Sequence, residues 1–258
     1  MDVVQGIALG IIQGLTEFLP VSSTGHLILA RTFLGLNDHY GLAVDAVLQL
    51  ATALAVLLYF RKDIILLIQG CIGGDRHARI LGWALIVGTI PGVAAGLLLE
   101  NTMETVFRSA ALVAGTLAAG SLILLMAEKL ATQREKLTIS KGFAIGLFQA
   151  LALIPGMSRS GMTISGGLFL GLTREEATRF GFLLSFPIIV GSGLKKLLEL
   201  WSSGVLVAEG AVISLAAIAA FLSGLLAIHF MIRFVRTHSL IPFVVYRLAL
   251  AAVVLLVF

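Results

Sequence analysis

Six long apolar runs, at roughly 44–60, 80–99, 110–126, 180–198, 211–231 and 240–258, constrain this chain more than any other feature. Each is close to the ~20 residues that a helix needs to cross a bilayer's hydrocarbon core. Charged residues make up only 12% of the chain, roughly half their share in a soluble domain. Lipid offers no partner to an exposed peptide group, so such runs are stable there as helices that close their own hydrogen bonds. The runs predict an all-α, multi-pass integral membrane protein. The opening Met1-Asp2 carries no basic stretch, which predicts no cleaved signal peptide.

Two further regions, 1–36 and 139–172, are apolar but broken in the middle, at Pro20 to Gly25 and at Pro155 to Gly161. Proline removes a backbone donor and glycine adds backbone freedom, so each region predicts a helix–loop–helix hairpin that enters the membrane and returns. Irregular backbone at that depth must be satisfied by protein or by a watery cavity. The two regions also repeat each other without a gap. Gly6, Ala8, Gly10, Gln13, Leu15, Ser22, Gly25 and Ile28 fall on Gly142, Ala144, Gly146, Gln149, Leu151, Ser158, Gly161 and Ile164, and Phe33-Leu34-Gly35-Leu36 falls on Phe169-Leu170-Gly171-Leu172. Each half then holds one hairpin and three spans. Three is odd, so the second half enters the membrane inverted. The expectation is a single membrane domain over 1–258, made of halves at about 1–126 and 139–258. It has about six transmembrane helices plus two re-entrant hairpins in an inverted-topology repeat, with a site where the broken helices meet.

Loop charge gives the orientation. Of 18 basic residues, twelve lie in 61–79, 127–141, 171–179 and 232–239. Arg31, Arg108, Lys195 and Lys196 fall to the other side, while Arg159 and Arg247 lie within membrane segments. The positive-inside rule places the four basic loops in the cytoplasm, both termini outside, and the mouth of the first hairpin outside. The charge of +4 is spread without a dense basic run, which argues against nucleic acid as a partner. A lone Cys71 excludes an internal disulfide, and no G-x-x-x-x-G-K-[ST] loop is present to bind ATP.

Polar side chains concentrate at the two breaks. Gln13 and Glu17 are four residues apart and share a helix face. Ser22, Ser23, Thr24 and His26 follow at once. Ser23 three residues before His26 can form an activated nucleophile, whereas a serine there can equally cap the returning helix. Glu17 can orient the histidine or hold a divalent cation. The counterpart, Ser158-Arg159-Ser160-Gly161 followed by Thr163, sets a guanidinium and hydroxyls at a helix start, as an anion site does. Arg159 can also pair with Glu17 and hold the hairpins together. In the repeat Glu17 matches Leu153, Ser23 matches Arg159 and His26 matches Met162. One half thus carries the acid, hydroxyl and imidazole and the other the cation, which favours one composite catalytic site over a symmetric transporter. Arg247 is expected to snorkel or to pair with a buried acid, and Asp45 to pair similarly. His39, His77, His229 and His238 have no metal-ligand spacing, and Trp83 and Trp201 read as interfacial anchors.

These motifs, EFLPVSSTGHL at 17–27 and PGMSRSG at 155–161, resemble those of the bacterial undecaprenyl-diphosphate phosphatases, the bacitracin-resistance family, and the likeness runs over essentially the whole chain. The resemblance implies hydrolysis of a C55 polyprenyl diphosphate to the monophosphate carrier used for peptidoglycan and other envelope polymers. It implies a bacterial inner-membrane location, a site facing the periplasm, surrounding membrane lipids, a divalent cation such as Mg2+ or Ca2+, and room for a homodimer. It assigns catalysis to Glu17, Ser23, His26 and Arg159, with Ser22, Ser158 and Thr163 supporting, and Thr24, Ser160 and Gly161 of the same two motifs complete the expected substrate-binding set. The family often has an E-x-x-x-E pair on the first helix. Here its first member is Gln13, so a metal site would rest on Glu17 and Gln13. The S-R-x-x-x-x-x-H pattern of the phosphatidic-acid phosphatases is absent, since Ser165 stands six residues after Arg159. A carrier or flippase for a phosphorylated lipid is the competing expectation, because inverted repeats and broken helices also build transporters.

Overall fold

The computed structural model describes residues 1–36, 41–105, 110–202 and 205–257, and regular structure there is entirely helical. In order the helices are α1 (Val3–Phe18), α2 (Ser23–Phe33), α3 (Gly41–Tyr59), α4 (Arg61–Gly73), α5 (Arg76–Thr105), α6 (Ala110–Leu130), α7 (Ile139–Leu151), α8 (Arg159–Phe169), α9 (Arg174–Ser202), α10 (Val205–Thr237) and α11 (Ile241–Val257). The six apolar runs fall on α3, α5, α6, α9, α10 and α11. The broken regions fall on the pairs α1–α2 and α7–α8. Within α5, α6, α9 and α10 lie segments long and apolar enough to cross a membrane, and α1, α7, α11 and residues 44–59 of α3 are shorter apolar helices. The protein is thus a multi-pass membrane protein. Residues 61–79, expected as a loop, hold the additional α4, which buries no residue and ends at Gly74 in the left-handed region with φ +82°. His39 and Arg108 lie outside the described residues.

Small residues set the packing. Helices in lipid gain little from burying oil against oil, so they associate where backbones can approach closely. Helix α1 crosses α10 through Gly10 and Gly14, where a Cβ would stand 2.1 Å from the carbonyl oxygen of Ala216 and 2.3 Å from that of Ala220. Helix α7 crosses α5 in the same way, with a Cβ on Gly142 at 2.6 Å from the Ala84 oxygen and one on Gly146 at 2.2 Å from the Gly88 oxygen. Gly10 and Gly146 are repeat partners, so this part of the repeat records a shared helix crossing. Each hairpin leans on a long helix from the other half, and α3 with α9 and α6 with α11 join the halves further.

The four basic loop regions are tied to one another. Arg179 Nη2 bonds Asp63 Oδ1 at 2.5 Å, Arg174 grips Glu128, and Arg236 Nη2 bonds Glu175 Oε1 at 2.6 Å. Residues from all four regions counted by charge therefore meet through ion pairs. Elsewhere Arg31 pairs with Asp45, satisfying that carboxylate as expected.

Candidate active site

Both hairpins turn on the same device. Ser22 and Ser158 adopt φ of +73° and +70°, and each hydroxyl accepts from an amide three residues on, Gly25 N at 3.4 Å and Gly161 N at 3.2 Å. Positive φ at a non-glycine residue costs on the order of 1–3 kcal/mol, and it persists where the surroundings over-determine the backbone. The cap starts α2 at Ser23 and α8 at Arg159, so the repeat puts a hydroxyl in one half where the other has a guanidinium.

Those two side chains converge on Glu17. Its Oε2 accepts from Ser23 Oγ and from Gln13 Nε2, both at 2.9 Å, and its Oε1 accepts from Arg159 Nη1 at 3.0 Å. The Glu17 side chain is 5% exposed and that of Arg159 22%. The remaining guanidinium nitrogens, Nε and Nη2, make no hydrogen bond among the described residues, which leaves them able to clamp an anion's oxygens. Ser160 Oγ donates to Leu19 O at 3.0 Å and stands 3.2 Å from Ser158 Oγ, which ties the second hairpin's tip to the first.

Other expected residues take different places. The Ser23–His26 hydrogen bond allowed by the spacing is not made. His26 instead places Nδ1 2.7 Å from Ser22 O and Nε2 2.6 Å from the Tyr246 hydroxyl. Thr163 is fully buried and donates back into its own helix, to the oxygens of Arg159 and Ser160, so its hydroxyl is not turned toward Glu17. Gly161 serves the cap through its amide, and Thr24 is exposed at the start of α2.

Arg247 corrects the sequence reading. It does not snorkel, and among the described residues it pairs with no acid. It is 0% exposed, and its guanidinium donates to Ser121 Oγ at 3.1 Å, Pro20 O at 3.3 Å, Leu117 O at 3.3 Å, Gly156 O at 3.2 Å and Met157 O at 3.0 Å. Its donors satisfy carbonyls from both broken loops, the groups that irregular backbone leaves unpaired in a membrane. The only advance signal was an arginine inside an apolar span beside a tyrosine.

The donors suit a divalent cation that takes most of its ligands from elsewhere. No group of three His, Cys, Asp or Glu side chains gathers among the described residues. Gln13, however, is fully buried: its Nε2 donates to Glu17, and its Oε1 has no hydrogen-bond partner among the described residues. One carboxylate and one amide oxygen fit a magnesium-type ion completed by phosphate and water.

An acid, a hydroxyl and a guanidinium from two broken hairpins thus meet inside a helical chain, and the fold defines the class: multi-pass helical membrane proteins. Comparison with known proteins narrows it. The family model described as bacitracin resistance protein BacA matches residues 6–253, and the chain belongs to that family. It is 42% identical to an undecaprenyl-diphosphatase of Chloroherpeton thalassium, over 99% of this chain and 96% of that protein. A Myxococcus xanthus undecaprenyl-diphosphatase is 44% identical over 99% and 89%. One from Idiomarina loihiensis is 41% identical over the full length of both chains.

Proposed function

We propose that this protein hydrolyses undecaprenyl diphosphate to undecaprenyl phosphate and inorganic phosphate, regenerating the lipid carrier for cell-wall polymers and conferring resistance to bacitracin. Full-length similarity to undecaprenyl-diphosphatases supports the substrate. The observation that carries the chemistry is the joining of Ser23 and Arg159, from opposite halves, through Glu17.

In this reading residues 1–258 form one membrane domain of two inverted halves, with α1–α2 and α7–α8 as re-entrant hairpins in the bacterial inner membrane. The ion pairs among the basic loops support a common cytoplasmic end, with the first hairpin opening to the periplasmic side. The polyprenyl tail stays in lipid and the diphosphate enters between the hairpin tips. Arg159 clamps the terminal phosphoryl group and balances its charge, the term expected to dominate phosphoryl transfer.

Ser23 attacks the terminal phosphorus and its proton passes to Glu17, the acceptor it already bonds. The bond from phosphorus to the bridging oxygen breaks, undecaprenyl phosphate leaves, and a phosphoserine remains. His26 then takes a proton from the water that cleaves the phosphoserine, Glu17 returns its proton to the departing Ser23 oxygen, and phosphate leaves as the proton on His26 passes to it or to water. Glu17 and Gln13 would hold a divalent cation, whose contribution when bound is to neutralise charge on the phosphate oxygens.

The test is covalent trapping. With a label on the terminal phosphate, rapid quenching should leave label on the wild-type chain at Ser23 and none on Ser23→Ala. Label that appears in free phosphate and never on the protein would replace Ser23 with direct attack by water.

A further inference from the structure

Tyr246, on the last helix, is absent from the set assigned above, yet its hydroxyl lies 2.6 Å from His26 Nε2. The two rings are nearly parallel, at 7°. The other ring nitrogen, Nδ1, lies 2.7 Å from the carbonyl oxygen of Ser22. A carbonyl can only accept, so Nδ1 carries the proton of a neutral ring and Nε2 presents its lone pair. A phenol hydroxyl can donate, and Nε2 is the acceptor in its reach. The two contacts hold both ends of the imidazole and fix its rotation and tautomer together.

The framework around this contact is rigid. Ser22 is the strained cap of α2, so its carbonyl is set by the hairpin turn. The residue after Tyr246, Arg247, is buried and bonded to the loops of both hairpins, which fixes the register of α11 at this turn. Tyr246 itself is 47% exposed, so its place is not explained by burial. A hydroxyl on a ring facing an apolar setting seeks a polar partner, and His26 supplies one.

We propose that Tyr246 is a positioning residue for His26: its hydroxyl keeps the imidazole in the Nδ1–H tautomer with the Nε2 lone pair directed for proton transfer. Incoming water must displace or share that hydroxyl's place on Nε2, so the tyrosine marks where the proton to be removed has to lie. This inference rests on the phosphatase reading for its catalytic consequence, but not for the tautomer.

The experiment pairs a spectroscopic arm with a kinetic one on the full-length protein in detergent. Histidine is labelled with 15N, and His26 is assigned by comparison with His26→Gln. The wild type should show His26 protonated at Nδ1 and bare at Nε2, and Tyr246→Phe, which keeps the ring, should shift Nε2 and mix the tautomers. Phosphate release by Tyr246→Phe should fall about tenfold or more in kcat, with KM within about twofold. In the His26→Gln background the same tyrosine change should have little further effect, because the two side chains act as a unit. A wild-type His26 protonated at Nε2, or an equal loss from Tyr246→Phe in both backgrounds, would overturn the proposal. Absence of phosphate release from folded wild type would sink the phosphatase reading instead, and the nitrogen spectrum would still decide the contact.

Discussion

Replacing Arg247 with methionine, similar in length and without donors, should separate the two hairpin tips without abolishing the fold. Of the five acceptors, Leu117 O keeps its bond from Ser121 Oγ at 2.6 Å, so that pair survives. The carbonyls of Pro20, Gly156 and Met157 lose the arginine donors that now satisfy them. Orphaning three buried acceptors at about 1–3 kcal/mol each costs roughly 3–9 kcal/mol. Against this, a guanidinium with no carboxylate partner no longer has to be buried, which relieves several kcal/mol. The two terms are of similar size, so overall stability should change by no more than a few kcal/mol, while the loops are free to turn their carbonyls toward water. Because Arg159 and Glu17 sit on opposite hairpins, a displacement of about 1 Å there is enough to cost about 100-fold in rate. Arg247→Lys should fare little better, since one ammonium cannot span acceptors on both loops and α6. The assay is phosphate release from a prenyl diphosphate, read beside the thermal midpoint in detergent. A folded methionine variant retaining more than about a tenth of wild-type turnover would refute the claim that Arg247 sets the tips.

Three further outcomes follow from the same geometry. Glu17→Gln keeps the shape and a hydrogen-bond acceptor but removes the base that takes the Ser23 proton and the counter-charge of Arg159, so turnover should fall by about 10²–10⁴, measured as initial rate at saturating substrate. Gln13→Glu supplies the second carboxylate that this chain lacks, and a magnesium titration of phosphate release should reach half-activation at lower metal than in wild type. Gly10→Ala drives a Cβ into the Ala216 backbone and should cost about 1–3 kcal/mol or more. The control Gly96→Ala, where a Cβ meets open space, should be neutral or stabilising by up to about 1 kcal/mol; both are read from thermal midpoints.

Features that depend on period and on prohibition were legible in the sequence. Apolar length located α3, α5, α6, α9, α10 and α11, four of which hold segments long enough to span, and Pro20 and Pro155 located the breaks, because lipid tolerates few alternatives there. The Glu17–Arg159 pair was foreseeable because two opposite charges in an apolar setting seek each other. Features set by small rotations or by contacts distant in sequence were not legible. Whether Ser23 faces Glu17 or His26 depends on the turn that Ser22 forces with its positive φ, and the three-residue spacing fits either. Arg247 and Tyr246 act more than 200 residues away from Pro20 and His26, so one chain could not reveal those partners. Helix α4 was hidden because RKD at its start and GGD across its end read as loop while its apolar run is too short to span. The repeat also misled in one detail. Gln149 matches Gln13, but its buried amide makes no hydrogen bond among the described residues, so identity there does not carry shared chemistry.

The central claim is that Ser23, held by Glu17 and facing Arg159, performs metal-assisted hydrolysis of a prenyl diphosphate. The most direct test is phosphate release by purified protein in detergent from a C55 or C15 prenyl diphosphate, with and without magnesium, for wild type and Ser23→Ala. The account predicts release by wild type that requires the metal and collapses by at least about 10²-fold in the alanine variant. Folded wild-type protein that releases no phosphate from either substrate, across divalent metals, would contradict it and leave a carrier for phosphorylated lipid as the better reading.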